Sequence, residues 1–158
     1  MTAEDVLARL AQAIGVRLEV TAGAGWTGRG EGTVEVDRHR ASDDASQSGG
    51  LLVTEAGTWA LDGGRPMRWT ARSRWWADGA ALAVEHHRQG VPASATLDWT
   101  GRQWRARAPH QCPPDAYDVA LAVTPGEVVV TWTVTGPRKD DRIATRYHAP
   151  GLPMNAAQ

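Results

Sequence analysis

The chain has 158 residues, a formal net charge of -1 at pH 7 and one cysteine, Cys112. That length suits one domain with a sizeable core, and a near-neutral chain without a basic stripe argues against a nucleic-acid partner. Its apolar runs fall far short of the ~18 residues of a membrane span. A lone cysteine makes no internal disulfide, and the N-terminus MTAEDVLARL is acidic where a secretory leader is basic, so the expected location is the reducing cytoplasm.

Taken in chain order, the first element is a helix. Thr2 is placed to cap it with Asp5 three residues on, and Val6, Leu7, Leu10 and Ile14 follow at helical spacing, which predicts a helix over 3–14 stopped by Gly15. Its apolar stripe needs a surface to cover, and the open end of a barrel would supply one. The stretch GAGWTGRGEGTVEV, Gly23 to Val36, sets five glycines around Trp26 ahead of an alternating run. Such glycines allow close backbone approach and bends where strands curl. Residues 40–50, RASDDASQSGG, have turn composition and read as an exposed, mobile loop.

Strands are predicted at 51–61, 66–77, 80–88, 94–99, 103–110, 117–123, 127–135 and 142–148. Turn signals such as Asp78-Gly79, Pro113-Pro114 and Pro125-Gly126 separate most of them. Short strands with this punctuation predict an all-β antiparallel barrel or sandwich. The expectation is a single β-barrel domain, with the barrel over about 18–148 and a flexible tail over 149–158.

Side chains alternate faces along a strand. Sorting by parity puts Glu55 on the greasy face with Leu51, Val53, Gly57 and Trp59. It puts His110 at the end of the face of Trp104, Ala106 and Ala108, with Cys112 in phase. Tyr117, Trp132 and Tyr147 fall on interior faces too. Polar groups converging inside an apolar barrel are the usual form of a small-molecule site. Plainer roles stay open: Glu55 as a structural ion pair with Arg74, His110 as a hydrogen-bonded core histidine, and the two tyrosines as barrel-end residues. The eight tryptophans, against no phenylalanine, suit both core filling and a pocket wall for a flat ligand.

No metal is expected. His86 and His87 are adjacent and lie on opposite faces of a strand, and His110-Gln111-Cys112 with Asp115 lacks a second thiolate or histidine at a familiar interval. Phosphate loops, dinucleotide fingerprints and nucleophile elbows are missing as well.

The C-terminal stretches APHQCPPDAYDV and VTWTVTGPRKDDRIATRYH resemble an uncharacterised bacterial family of calycin-like proteins, a domain of unknown function. The matching positions are His110, Cys112, Asp115, Tyr117, Trp132, Gly136, Pro137, Lys139, Asp140 and Tyr147, with looser matches at Trp26, at Glu55 with Gly57, and at Arg74 beside Trp75. Asp141 stands where the pattern leads one to expect an aromatic, and Trp75 where it leads one to expect tyrosine. The resemblance implies a lipocalin-like or fatty-acid-binding-protein-like barrel and brings no reaction with it. The GAGWTGRGEG stretch is also similar to the opening of nitrobindin-type haem barrels.

Three functions follow. The first is a module binding a small hydrophobic or aromatic molecule, with Trp26, Arg74, Trp75, Tyr117, Trp132, Lys139 and Tyr147 as ligand-binding residues. The second is a cofactor-free isomerase or cyclase in the same cavity, with Glu55 and His110 as acid and base; a carboxyl group in an apolar setting holds its proton to higher pH. The third is a haem barrel with His110 or His148 as axial ligand. A small-molecule ligand is the expected partner, no cofactor is expected on the first two readings, and nothing in the sequence sets the oligomeric state.

Overall fold

Alternation of apolar and polar residues starts at Gly15 and continues, strand after strand, to His148. The computed structural model describes residues 1–38, 50–88 and 91–150. Of the predicted loop at 40–50 and tail at 149–158, residues 40–49 and 151–158 lie outside them. A helix α1 (Ala3–Leu10) precedes eleven strands: β1 (Gly15–Thr21), β2 (Thr27–Arg38), β3 (Leu51–Leu61), β4 (Met67–Asp78), β5 (Ala81–Arg88), β6 (Val91–Trp99), β7 (Trp104–Ala106), β8 (His110–Cys112), β9 (Asp115–Thr124), β10 (Glu127–Gly136) and β11 (Lys139–His148). Neighbours in sequence pair antiparallel except β7 and β8, and β1 pairs β11 while β9 pairs β7 and β10. These pairings close a ten-strand antiparallel barrel of calycin-like form, with β8 as a short arm on β9. No helix among the described residues is long and apolar enough to cross a membrane.

Two boundaries differ from the sequence reading. The helix ends at Leu10 rather than residue 14, because Gln12 and Ala13 donate to carbonyls only three residues back and tighten the chain into a turn. Ile14 therefore leaves the apolar stripe and is 61% exposed, while its N–H already bonds His148 on the barrel. The strand read as 103–110 is broken into β7 and β8. Trp104 faces Leu121 and His110 faces Tyr117, so six residues on one strand span four on the other and two are looped out. Pro109, with no N–H to give the ladder, sits in this break. Two is an even number, so parity survives and His110 still faces inward.

An isolated helix of eight residues is too short to persist in water. This one is held by its buried side chains Ala3, Val6, Leu7 and Leu10, which join the barrel core and touch β4 and β10. Burying each Val or Leu is worth about 1.5–3 kcal/mol. Because α1 leads directly into Gly15, it covers the end where Gly15, His148 and Glu127 meet. Under it the lumen is filled by Leu51, Val53, Trp75, Leu82, Leu97, Trp104, Leu121 and Val128, each at most 2% exposed.

On the inner face of β2 and β3 the glycines take up a different task. A Cβ on Gly57 would collide with the Trp69 ring and the Glu31 carbonyl, and one on Gly30 would lie 2.7 Å from Trp59 Cβ and 3.0 Å from Trp69 Cζ3. The glycine run is thus a flat bed on which two indoles lie. Gly57→Val should destabilise the fold by about 1–3 kcal/mol through overpacking, read as a lower urea midpoint at unchanged slope.

The capping box at the helix start is complete: the Asp5 N–H donates to Thr2 Oγ1 at 3.1 Å and the Thr2 N–H to Asp5 Oδ2 at 2.8 Å. Thr2→Ala should cost about 1 kcal/mol. The hydrogen bond from the Thr2 backbone holds the Asp5 carboxyl below its ordinary value of 3.8. A depressed folded-state pKa means that the contribution of Asp5 is present above the ordinary carboxylate range and is lost as pH falls through the folded value. Urea midpoints of Asp5→Ala and the parent should therefore differ at neutral pH and converge in strong acid.

Candidate functional site

The barrel end away from α1 is open. Two cavities lie there. The first, of 350 Å³, is lined from β5, β6, β8, β9, β10 and β11 by residues that include His86, His110, Cys112, Tyr117, Trp132 and Thr145. The second, of 410 Å³, is lined by Leu18, Val20, Trp26, Trp59, Trp69 and others. Asp141 and Ile143 of β11 line both, so the cavities adjoin across one strand.

Glu55 lies at the boundary between open and packed halves. Its position in β3 opposite Val34 and Ala71 turns it inward, and it is only 2% exposed. The Tyr147 hydroxyl donates to Oε1 in a short hydrogen bond, and Trp69 Nε1–H donates to Oε2 at 3.5 Å. A buried carboxylate without such donors would cost several kcal/mol. Neither cavity has Glu55 on its wall.

In the first cavity His110 is oriented by the backbone. The Ser94 N–H donates to His110 Nδ1 at 3.3 Å, so the neutral ring carries its proton on Nε2. The imidazole thereby offers a donor rather than the lone pair an iron would need, and His110 does not fit a haem axial position. His148, the other histidine considered for haem, is exposed at the far end beside Gly15 and Glu127. At the rim, Lys139 Nζ lies 3.1 Å from Asp115 Oδ2, and that hydrogen-bonded carboxylate raises the lysine above its usual pKa. Gly136 leaves room for the pair, since a Cβ there would strike the Asp115 carboxylate.

The residues singled out from sequence separate into groups. Tyr117, Trp132, Lys139 and His110 line the first cavity, and Trp26 rims the second, 6.5 Å from Trp59. Tyr147 and Glu55 form the buried pair beneath them. Trp75 is 1% exposed in the packed half, donating to Ser73 Oγ at 2.9 Å, and lines neither cavity. Arg74 stands on the outward face of β4, opposite Glu85 and Leu52, so it cannot pair with inward Glu55 or reach the cavities from within. Glu55 and His110 do not share a cavity wall.

Sequence reasoning passed over His86. Its parity with Leu82 and Val84 marks it as inward, and its ring lies 5.7 Å from that of Trp132. His87 faces out and contacts Glu85 Oε1 at 2.5 Å. Trp59, Trp69, Asp141 and Thr145 were also legible by parity. Among the described residues no cluster of three or more potential metal ligands is assembled. Replacing Glu55 by Leu strands the Tyr147 hydroxyl and the Trp69 N–H in the interior. The expected loss is about 1–3 kcal/mol for each group left unsatisfied, and Glu55→Gln, which keeps an acceptor, should lose less; equal urea midpoints for the two variants would refute the role given to the acceptor.

A search of curated protein sequences finds no match. Among solved structures, the S-type phycobiliprotein lyase CPES from Guillardia theta is similar, with a TM-score of 0.65 at 9% identity over 97% of this chain and 95% of that one. At that identity the likeness carries the fold alone. The sequence model of the Family of unknown function (DUF6314) matches residues 14–149, which takes in every barrel strand and leaves out α1, and the chain belongs to that family.

Proposed function

We propose that the protein binds a small, flat, largely apolar molecule in the two adjoining cavities at the open end of the barrel. The observation that carries this reading is the contrast between the two ends. One is packed with buried aliphatic and indole side chains beneath α1, while the other keeps 350 and 410 Å³ beside Trp132, Trp26, Trp59 and Trp69. A cavity of about 300–1,000 Å³ with apolar walls and a few polar groups is the ordinary form of a small-ligand site. The barrel shared with a phycobiliprotein lyase is compatible with this and says nothing of the ligand.

Acid–base catalysis by Glu55 and His110 has less support. A general base must reach the proton it takes, and Glu55 lies off both cavity walls with an indole and a phenol already on its oxygens.

Ile143 lines both cavities, so one substitution tests the reading. N-phenyl-1-naphthylamine should brighten on entering the wild-type barrel. Ile143→Trp, which fills the junction, should weaken that uptake by about tenfold or more while the melting temperature shows the barrel intact. Undiminished uptake by the blocked variant would remove the site from the barrel interior.

A further inference from the structure

The first cavity is unevenly equipped with donors, and this unevenness points to a ligand class. Resting on the binding reading above, we infer that it takes a monocarboxylate carried on a flat aromatic ring, with the carboxylate toward the rim at Lys139 and His110 and the ring against Trp132.

Four groups supply the argument. His110 has its Nδ1 engaged by the Ser94 N–H, so Nε2–H is the atom left to donate into the space. Lys139 gives one N–H to Asp115 and keeps two more. Its charge is secured by the neighbouring carboxylate. The phenol of Tyr117, whose ring lies edge-on to His110 at 6.4 Å, borders the same space. Deeper in, Thr145 is only 6% exposed and lines the cavity.

Each of the two carboxylates at this end already holds one donor. Asp115 receives Lys139, and Asp141 Oδ1 receives the Gly23 N–H at 3.2 Å. What the cavity lacks is therefore an acceptor of low charge. A phosphate dianion would stand against Asp115 and Asp141 with two charges and a monocarboxylate with only one, and the planar carboxylate can take one N–H from Lys139 and one from His110. Trp132, Val134 and Ile143 give the ring an apolar bed, and 350 Å³ leaves room for two fused rings.

The test compares 2-naphthoate with 2-naphthalenemethanol, the same ring with the charge removed, by titration calorimetry on the full chain. The acid should bind about tenfold more tightly than the alcohol, the range of one charge-assisted hydrogen bond. Lys139→Met should bring the ratio near one and Lys139→Arg should restore it, whereas Arg102→Met, a charge removed from the far β6–β7 turn, should leave it unchanged. Equal affinities in the wild type, or a preference that survives Lys139→Met, would overturn the carboxylate assignment. If both compounds bind equally and Ile143→Trp excludes both, the barrel site stands and only this assignment falls. If neither binds, both fall.

Discussion

A carboxyl group in the middle of a barrel is the constraint around which this structure is organised. Glu55 cannot be buried to 2% exposure unless donors meet it, and the donors come from across the lumen: Tyr147 on β11 and Trp69 on β4. The node therefore ties β3 to its neighbour and to a strand on the other wall, at the level where packing gives way to open space. Below it the inward positions carry mostly aliphatic and indole groups, with Ser73 as a polar exception that accepts the Trp75 N–H. Above it the inward face of β2 reads Gly28, Gly30, Gly32, and β3 continues with Gly57. Without Cβ atoms those positions cannot fill the lumen themselves, and the space is bounded by rings lying over them.

The distribution of indoles follows from the same division. Trp75 and Trp104 are buried in the closed half, and Trp69 is at the boundary; Trp26, Trp59 and Trp132 face the open cavities. Core filling and pocket lining, weighed as rival accounts of the tryptophan excess, are both at work in different halves. The N–H groups separate them further. Trp75 and Trp69 find acceptors in Ser73 and Glu55, whereas Trp104 Nε1 is buried without one. That orphan costs about 1–3 kcal/mol, and burial of 150–250 Å² of indole at ~25 cal/mol per Å² returns about 4–6 kcal/mol. The ring stays where it is because area outweighs the missing bond.

Much of the barrel was legible because period-two alternation is local. The 51–61 strand was read with the boundaries it has, and the inward parity of Glu55, Tyr117, Trp132 and Tyr147 follows from it. His110 was placed correctly for a reason the sequence does not display: the break at Arg107–Pro109 loops out two residues, and a loop of one would have turned the imidazole to solvent. The first strand was not among those predicted, although Val16, Leu18 and Val20 alternate and the barrel was expected from about residue 18. His86 was set aside because adjacency to His87 settled only the question of a shared metal. Depth was the property that parity could not supply. It cannot separate Trp75, sealed beneath the node, from Trp69 on the same face of the same strand, nor show that Glu55 and His110, both inward, sit at different levels.

Depth is also what gives the open end its meaning. An indole sealed in the closed half has already surrendered its surface to the core, and its burial stabilises the barrel whether or not anything binds. Trp26 has not: it remains 40% exposed beside Trp59, so part of the hydrophobic free energy of that ring is unrealised in the free protein. A residue that contributes little to holding the fold, placed at a mouth whose far end is packed tight, is better suited to a guest than to the scaffold. The same reasoning sets Thr145 apart from Ser73. Both are buried, but Ser73 receives the Trp75 N–H in the packed half while Thr145 lines the first cavity. The exposed indole of Trp26 and the cavity-lining side chain of Thr145 lie at the same end of the barrel, on the open side of Glu55.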